Sequence, residues 1–225
     1  MRLLVTAGPT CEDIDEVRFL TNRSTGRMGY AVAAEAARRG HRVELVSGPV
    51  QITAAEGVTV TLVRSARQML EACQRLFPAC DAMVASAAVA DYRPAAKFPG
   101  KLKKSDADLV LPLVRNPDIT RALAENKRPG QLIVGFALEA TDIYESRSSA
   151  EAKMADKKQD MAVLNGPAAM GAAGAEVSFC IPGEGWSEAA VLEKTQVAAR
   201  ILDFLERTLE RTNESDTGDR TQTGD

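Results

Sequence analysis

The sequence predicts an α/β fold with a Rossmann-like, mostly parallel sheet and helices on both faces. An aliphatic run at 2–6, an alanine-rich helical pattern at 26–39 and a second apolar run at 41–46 have the spacing of a βαβ unit. The run at 81–89 is almost entirely apolar, which is typical of a central parallel strand covered on both faces. A length of 225 residues suits one sizeable core.

Further strands and helices follow in alternation through the first half of the chain. Gly40 ends the first helix, because glycine readily adopts the left-handed conformation found after helix C-termini. A third strand is predicted at 58–63. Ser65 and Gln68 have the spacing of a capping box, so that a helix is expected at 66–77 before the central strand.

The second half of the chain begins with a lysine-rich loop at 94–104 that has few apolar residues. Asn116 as N-cap and Pro117 at the first helical position favour a helix start. The remaining predicted elements are strands at 109–114, 132–138 and 161–164, helices at 116–126 and 142–158, a small antiparallel extension near 175–192, and a terminal helix that includes Val197 and Leu209. We expect one domain at 1–210 and a disordered tail at 211–225, which contains no apolar residue.

Composition narrows the classes of function. Lys and Arg number 28 against 31 Asp and Glu, so no global positive charge favours nucleic acid or an anionic membrane as a partner. The apolar runs are too short to span a membrane and no signal-type segment precedes the first strand, so we expect a cytoplasmic protein. The four cysteines lack CxxC spacing and His41 is the single histidine, which disfavours a zinc site and Ser-His-Asp hydrolysis.

The segment 21–29 joins the first strand to the first helix and has the composition of a phosphate-binding loop. Its glycines allow close backbone approach, Ser24 and Thr25 supply hydroxyls, and Arg27 supplies a fork of donors beside a helix N-terminus. Taken alone, the same composition suits any strand-to-helix turn of an α/β protein. This segment alone is therefore compatible with both a phosphate-binding loop and an ordinary structural turn.

Asn22 and Asp91 lie on loops beyond the carboxyl ends of predicted strands, where ligands of open α/β sheets bind. The lysines of 94–104 are either a solvated edge or an electropositive lid over a polyphosphate. Lys153 and Lys157 are four residues apart and so share a helix face, which is either solvated or part of a site. These features predict a polyanion site at one edge of the sheet.

The combined motifs closely resemble the phosphopantothenate–cysteine ligase family of coenzyme A synthesis. They are Gly8-Pro9-Thr10, Ile14-Asp15, Val17-Arg18-Phe19, Asn22 to Gly29, Ser47-Gly48-Pro49, Ala87 to Arg93, Lys101-Leu102-Lys103-Lys104, Asn116 to Ile119 and Gly135-Phe136-Ala137. The resemblance covers residues 2–165 and, more loosely, the terminal helix.

This resemblance implies a ligase that joins 4′-phosphopantothenate and cysteine into 4′-phosphopantothenoylcysteine. In the bacterial branch, CTP activates the carboxylate as an acyl-cytidylate with loss of pyrophosphate, and the cysteine amine then displaces CMP. The resemblance also implies Mg²⁺ as cofactor, a homodimer and a monofunctional form without the decarboxylase domain. A separate phosphopantothenoylcysteine decarboxylase would then continue the pathway, and no FMN is expected. The sequence leaves the choice between CTP and ATP open.

Individual positions inherit expected roles from the same resemblance. Asn22 would orient the acyl intermediate, Arg18 would lie beside that site, and Lys101 would grip the phosphates, so these three are the expected catalytic residues. The expected nucleotide-binding residues are Ser24, Gly26, Arg27, Ala88, Asp91, Lys101, Asn116, Pro117, Asp118, Ile119, Phe136, Lys153 and Lys157. We assign no metal ligands.

A redox or non-catalytic dinucleotide-binding protein is the competing class of function. Two features of the sequence weigh against it. No G-x-G-x-x-G follows the first strand, and Ser47-Gly48-Pro49 stands where an acidic residue would contact the ribose.

Overall fold

The computed structural model describes residues 1–104, 108–138, 143–166 and 174–219. The strands are β1 (Arg2–Ala7), β2 (Cys11–Asp13), β3 (Phe19–Thr21), β4 (Arg42–Ser47), β5 (Val58–Leu62), β6 (Ala82–Ala85), β7 (Tyr92–Pro94), β8 (Leu113–Arg115), β9 (Leu132–Leu138), β10 (Met161–Asn165), β11 (Gly174–Ile181), β12 (Gly185–Trp186) and β13 (Ala190–Glu193). The helices are α1 (Arg27–Arg38), α2 (Ala66–Leu76), α3 (Ile119–Ala124), α4 (Ile143–Asp156) and α5 (Lys194–Asp219).

The main sheet has a doubly wound parallel core. Its parallel strands lie in the order β5-β4-β1-β6-β9-β10, and β11 continues the sheet antiparallel to β10. β12 and β13 both pair antiparallel with β11, which confirms the predicted antiparallel extension. The connections reverse direction between β1 and β6, and such a switch point opens a crevice at the carboxyl ends of the strands.

Helices cover both faces of the sheet, as the sequence predicted. Leu3 and Val5 of β1 pack into a core with α1 and α5, whereas Leu4 between them packs into a second core with α2 and α3. All three side chains are fully buried. Because successive side chains of a strand point to opposite faces, a continuous apolar run is what a strand between two helix layers requires. Each such side chain contributes roughly 1.5–3 kcal/mol by burial.

Three predicted elements within residues 81–126 differ from the structure. The central strand ends at Ala85 rather than at residue 89, because the chain leaves the sheet at Ser86. The strand expected at 109–114 is only the short β8. The helix expected from residue 116 begins at Ile119 with Asp118 as its N-cap, since the Asn116 side chain donates instead to the Ala90 carbonyl at 2.8 Å.

Two short ribbons were not predicted. β2 pairs antiparallel with β3, and β7 pairs antiparallel with β8. The lysine-rich segment is held against the first ribbon, because the Phe98 N–H donates to the Ile14 carbonyl at 2.9 Å and the Leu102 N–H donates to Asp15 Oδ2 at 3.0 Å. Its lack of apolar residues is thus offset by backbone hydrogen bonds.

The terminal helix extends further than the sequence predicted. α5 continues to Asp219, beyond the expected start of a disordered tail at residue 211, while residues 220–225 lie outside the described residues. The predicted start of the preceding helix at Asp142 lies outside them as well. No helix in the described part of the chain is both long enough and apolar enough to cross a membrane.

Candidate active site

Two neighbouring cavities open at the carboxyl ends of the parallel strands. The polar cavity, of about 440 Å³, contains nine residues predicted from the sequence: Asn22, Ala88, Asp91, Asn116, Pro117, Asp118, Ile119, Phe136 and Lys157. The apolar cavity, of about 180 Å³, is lined by residues that include Ser24, Gly26 and Arg27. Twelve of the predicted site residues are therefore brought to one sheet edge, where they are divided between two cavities.

A wall made of Ala87, Ala88 and Phe136 is common to both cavities. The Asn22 side-chain amide donates to the Ala88 carbonyl at 2.9 Å, and the Ala88 N–H donates to the Gly8 carbonyl at 2.9 Å. Asn22 thus fastens the loop after β3 to the segment that follows β6. The amide that the sequence assigned to the intermediate lies where the two cavities meet.

Buried hydroxyl groups support this wall, and the sequence interpretation missed them. The Ala87 N–H donates to Thr6 Oγ1 at 3.3 Å, and the Ala90 N–H donates to Thr10 Oγ1 at 2.9 Å. Both threonine residues are almost completely buried. A buried backbone donor needs a partner, so these hydroxyls satisfy N–H groups of a segment that has left the sheet. A threonine at a strand end carries no sequence signal that would have identified this role.

The loop that carries Asp91 is held by Asn116. The Asn116 N–H donates to the Asp91 carbonyl at 2.8 Å, and Asn116 Oδ1 accepts from Arg93 at 3.1 Å. Within the described residues, the Asp91 carboxylate has neither a hydrogen bond nor an ion pair, and it lines the polar cavity. Asn116 therefore positions the loop, while the Asp91 carboxylate stays accessible to a ligand.

Asp118 and Lys157 both line the polar cavity and form an ion pair at 2.9 Å. Burial of Asp118 raises the pKa of its carboxyl, but the Arg121 backbone N–H and the Lys157 ammonium outweigh this and leave the pKa below its ordinary value. The pair is partly exposed, so a ligand with hydrogen-bonding groups can reach both side chains.

The start of α1 forms one side of the apolar cavity. Gly26 is the N-cap with a φ of 78° and no side-chain cap, and the first turn of α1 contains no acidic residue. Gly26 is required here because its backbone is left-handed and an added Cβ would lie 2.9 Å from Val50 Cγ1. The glycine is therefore needed for close packing of the chain against Val50, as well as for any approach of a ligand.

Lys194, the first residue of α5, lines the apolar cavity together with Arg27. Burial and the neighbouring Arg27 lower the pKa of Lys194 below its ordinary value. The other walls are largely aliphatic and include Val177, Leu192 and Val197. Sequence reasoning treated the terminal helix only as a packing element, so it missed Lys194.

Three predicted site residues line neither cavity: Arg18, Lys101 and Lys153. Arg18 donates to Asp15 Oδ2 at 2.6 Å and to the Leu102 carbonyl at 2.6 Å. The Arg18 guanidinium, followed by backbone N–H groups, holds the pKa of the Asp15 carboxyl well below its usual range. Lys101 and Lys153 are both exposed. Arg18 therefore ties the lysine-rich segment to the β2–β3 ribbon in this structure.

Carboxylates do not cluster at the site. No group of three or more His, Cys, Asp or Glu side chains that could hold a metal occurs within the described ranges.

Comparison with known proteins places these features in a family. The model of the DNA/pantothenate metabolism flavoprotein C-terminal domain matches residues 1–209. The bifunctional coenzyme A biosynthesis protein CoaBC of Bacillus subtilis is 40% identical over 217 residues, covering 94% of this chain and 52% of that protein. The same-named protein of Vibrio parahaemolyticus is 45% identical over 167 residues, covering 72% of this chain and 41% of its own length. The chain thus spans about half the length of the curated relatives it matches.

Solved structures agree with this assignment. The crystal structure of the C-terminal domain of CoaBC is 38% identical, covers 93% of this chain and 96% of its own, and has a TM-score of 0.77. A Cab2 mutant solved in complex with phosphopantothenate-cysteine has a TM-score of 0.77 at 15% identity, covering 94% of this chain and 88% of its own, which shows a common fold. The resemblance inferred from the motifs is thereby confirmed: the chain belongs to the family of the DNA/pantothenate metabolism flavoprotein C-terminal domain.

Proposed function

We propose that this chain is a ligase of coenzyme A biosynthesis that joins 4′-phosphopantothenate and cysteine, using CTP. The observation that carries the proposal is the pair of cavities that meet at the wall fastened by Asn22. A ligase that activates an acid with a nucleotide must hold two different molecules with their reacting atoms adjacent. The names of the relatives, which are coenzyme A biosynthesis proteins, support the same activity.

The first step transfers a nucleotidyl group to the acid. A carboxylate oxygen of phosphopantothenate forms a bond to the α-phosphorus of CTP, the bond from that phosphorus to the bridging oxygen breaks, and pyrophosphate leaves. The polar cavity supports nucleoside binding, since Asp91, Asp118 and Lys157 offer hydrogen-bonding and charged groups to a ribose and base. Positioning of this kind converts a bimolecular step into an effectively unimolecular one.

The second step forms the amide. The cysteine nitrogen bonds to the acyl carbon, the bond from that carbon to the phosphate oxygen breaks, CMP leaves, and the nitrogen loses its extra proton. Negative charge develops on the acyl oxygen during attack, and an oriented amide donor such as that of Asn22 stabilises it. Its bond to the Ala88 carbonyl supports this role by fixing the orientation of the Asn22 side chain.

Several accompanying features belong to the proposal. Mg²⁺ would enter with the nucleotide phosphates and neutralise their charge, with Asp91 as the nearby accessible carboxylate. No FMN is expected to bind, and the protein would work in the cytoplasm.

A homodimer is supported by apolar side chains that the two ribbons expose, namely Phe19, Tyr92 and Leu113. Lys101 would reach the phosphates by movement of the lysine-rich segment, which Arg18 of the neighbouring ribbon holds at Leu102.

The decisive experiment incubates the protein with Mg²⁺, 4′-phosphopantothenate and cysteine, adding CTP or ATP in turn. Release of pyrophosphate and CMP, with 4′-phosphopantothenoylcysteine detected by mass spectrometry, is the expected result with CTP. Omitting cysteine should leave an acyl-cytidylate that can be detected directly. Absence of pyrophosphate with both nucleotides would reject the ligase, and turnover with ATP alone would correct the nucleotide.

A further inference from the structure

A third side-chain amide, that of Gln159, lines the polar cavity together with those of Asn22 and Asn116. Gln159 is half-buried. Among the residues that the structure describes, no group donates to its carboxamide or accepts from it. A carboxamide has two N–H donors and one carbonyl acceptor, so a ligand in the cavity can satisfy both kinds of group.

Gly135 of β9 makes room for this carboxamide. An added Cβ at Gly135 would lie 2.5 Å from Gln159 Oε1 and closer still to Cδ and Nε2. Since all three atoms crowd the same point, the flat face of the carboxamide lies against the glycine, where no other side chain would fit. The Gly135 backbone is already paired with β6 and β10. The donor and acceptor of Gln159 therefore remain available to the cavity.

A left-handed turn after α4 fixes the backbone of Gln159. Lys158 has a φ of 46° and is the only non-glycine residue with a positive φ within the described ranges. The Gln159 N–H donates back to the Met154 carbonyl at 2.9 Å. The Lys127 ammonium holds the other side of the turn, donating to the Lys158 carbonyl at 3.3 Å and to Asp160 Oδ2 at 2.6 Å. Such a conformation is unfavourable for lysine and persists only where the surrounding contacts enforce it.

The surroundings of Gln159 suit a planar heterocycle. Met83, Ala85 and Phe136 supply apolar and aromatic surface to the same cavity. A base can lay its face on such a surface, but its edge needs hydrogen-bonding partners. Cytosine presents a 4-amino donor next to the N3 acceptor. A glutamine carboxamide matches an adjacent donor and acceptor of this kind with two hydrogen bonds.

We propose that Gln159 binds the base of the nucleotide, with Oε1 accepting from the 4-amino group of cytosine and Nε2 donating to N3. This inference rests on the proposed function, in which CTP enters the polar cavity, and it names the group that contacts the base. The family motifs did not include Gln159. A glutamine that follows a helix carries no local signal of such a role.

Calorimetry with Mg²⁺ and two nucleotides tests this contact without turnover. The first nucleotide is CTP, and the second is pyridin-2-one riboside triphosphate, which has the same ring size but neither the 4-amino group nor N3. Gln159→Met keeps the length of the side chain and removes its donor and acceptor. It should weaken binding of CTP by about 10-fold, the usual effect of losing a paired donor and acceptor on a base. Binding of the pyridinone nucleotide should change less than about twofold, because it offers Gln159 no partner.

The pyridinone nucleotide is a sharper probe than UTP. Rotation of a carboxamide by 180° exchanges its donor and acceptor, so Gln159 can pair with the edge of uracil as well. Discrimination between CTP and UTP is therefore not expected from this residue, whereas loss of the whole edge removes both bonds.

Gln74→Met is the matched control, because Gln74 is exposed on α2 and lines neither cavity. It should leave both affinities unchanged. Thermal unfolding of each variant, with Gln159→Leu as a second substitution, separates binding from folding. Unchanged affinity of folded Gln159→Met for CTP, or equal losses for the two nucleotides, would overturn the contact with the base. Wild-type protein that shows the expected binding but releases no pyrophosphate with 4′-phosphopantothenate would overturn the ligase alone.

Discussion

The polar and apolar cavities lie at the same sheet edge but on opposite faces of the sheet. Met83 and Ala85 of β6 point into the polar cavity, whereas Val177 and Val197 line the apolar cavity on the side of α5. Alternation along a strand sends neighbouring residues to different faces, so one crevice can present two chemistries. Residues that are close in sequence therefore do not necessarily line the same cavity.

Asn22→Asp should have the largest effect, because the residue lies at the junction of both cavities. The substitution removes the donor to the Ala88 carbonyl and places a carboxylate against that oxygen. We expect amide formation to slow by roughly 100-fold or more, as happens when an oriented donor to a developing oxyanion is lost. Pyrophosphate release should slow much less. Equal losses in the two steps would show that Asn22 serves the wall and not the intermediate.

Lys101→Gln asks whether a segment outside both cavities takes part in catalysis. Lys101 is exposed, and its neighbour Leu102 is bound to Asp15 and Arg18. If the segment closes over the phosphates, turnover should fall by about 10-fold or more, since a charge-assisted contact is lost. Steady-state kinetics measures this, and the melting temperature should stay unchanged. Full activity would mean that the segment remains on the ribbon during the reaction.

Gly29→Ala should destabilise the fold where α1 packs closely against β1, beside both cavities. An added Cβ would lie 2.5 Å from Ala7 Cβ and 2.6 Å from Ser86 Oγ, so α1 would be forced away from β1. Overpacking of this kind costs about 1–3 kcal/mol and outweighs the better helix propensity of alanine. Chemical unfolding measures the loss. Gly166→Ala is the control and should be nearly neutral, because an added Cβ there meets no atom of the described residues within 4 Å.

Lys157→Met should act on the polar cavity alone. It removes the partner of Asp118 and a cation from the cavity, so the KM for the nucleotide should rise by about 10-fold while the KM for the acid stays constant. Lys153→Met provides the contrast, because Lys153 lines neither cavity and should give a smaller change. A rise in the KM for the acid would place the acid, and not the nucleotide, in the polar cavity.

The smallest expected effect concerns the ion pairs that Glu35 forms with Arg38 and Arg39 at the end of α1, away from both cavities. Hydrogen bonds from Arg38, and also from Arg39, lower the pKa of Glu35 to about 2. Because the folded-state pKa lies below the unfolded one, this stabilisation is complete above roughly pH 5 and is lost as the pH falls toward 2. Between those pH limits, the free energy of unfolding should fall more in the wild type than in Glu35→Gln. The difference between the two losses should be below about 1 kcal/mol. Parallel losses in denaturant titrations at several pH values would show that Glu35 contributes nothing.

Much of the parallel sheet could be predicted because its signals are local. The continuous apolar run around Leu4, the capping box at Ser65 and Gln68, and the glycine after the first helix each specify an element through its own residues. The short ribbons escaped prediction, since β2, β3, β7 and β8 have three residues each, too few for a strand pattern to be recognised, and are held by backbone pairing between strands. The sequence interpretation assigned Asn116 as a helix N-cap, because its actual hydrogen-bond partner, the Ala90 carbonyl, is remote in sequence.

The sequence by itself determined the fold class, the family, and the residue types available for a site at the carboxyl ends of the strands. Only the tertiary structure decided that Asn22 and Asp91 enter one cavity, that Ser24 and Arg27 enter another, and that Lys194 joins them. Motifs report local chemistry, whereas strand order and the packing of α1 against α5 determine which distant side chains become neighbours.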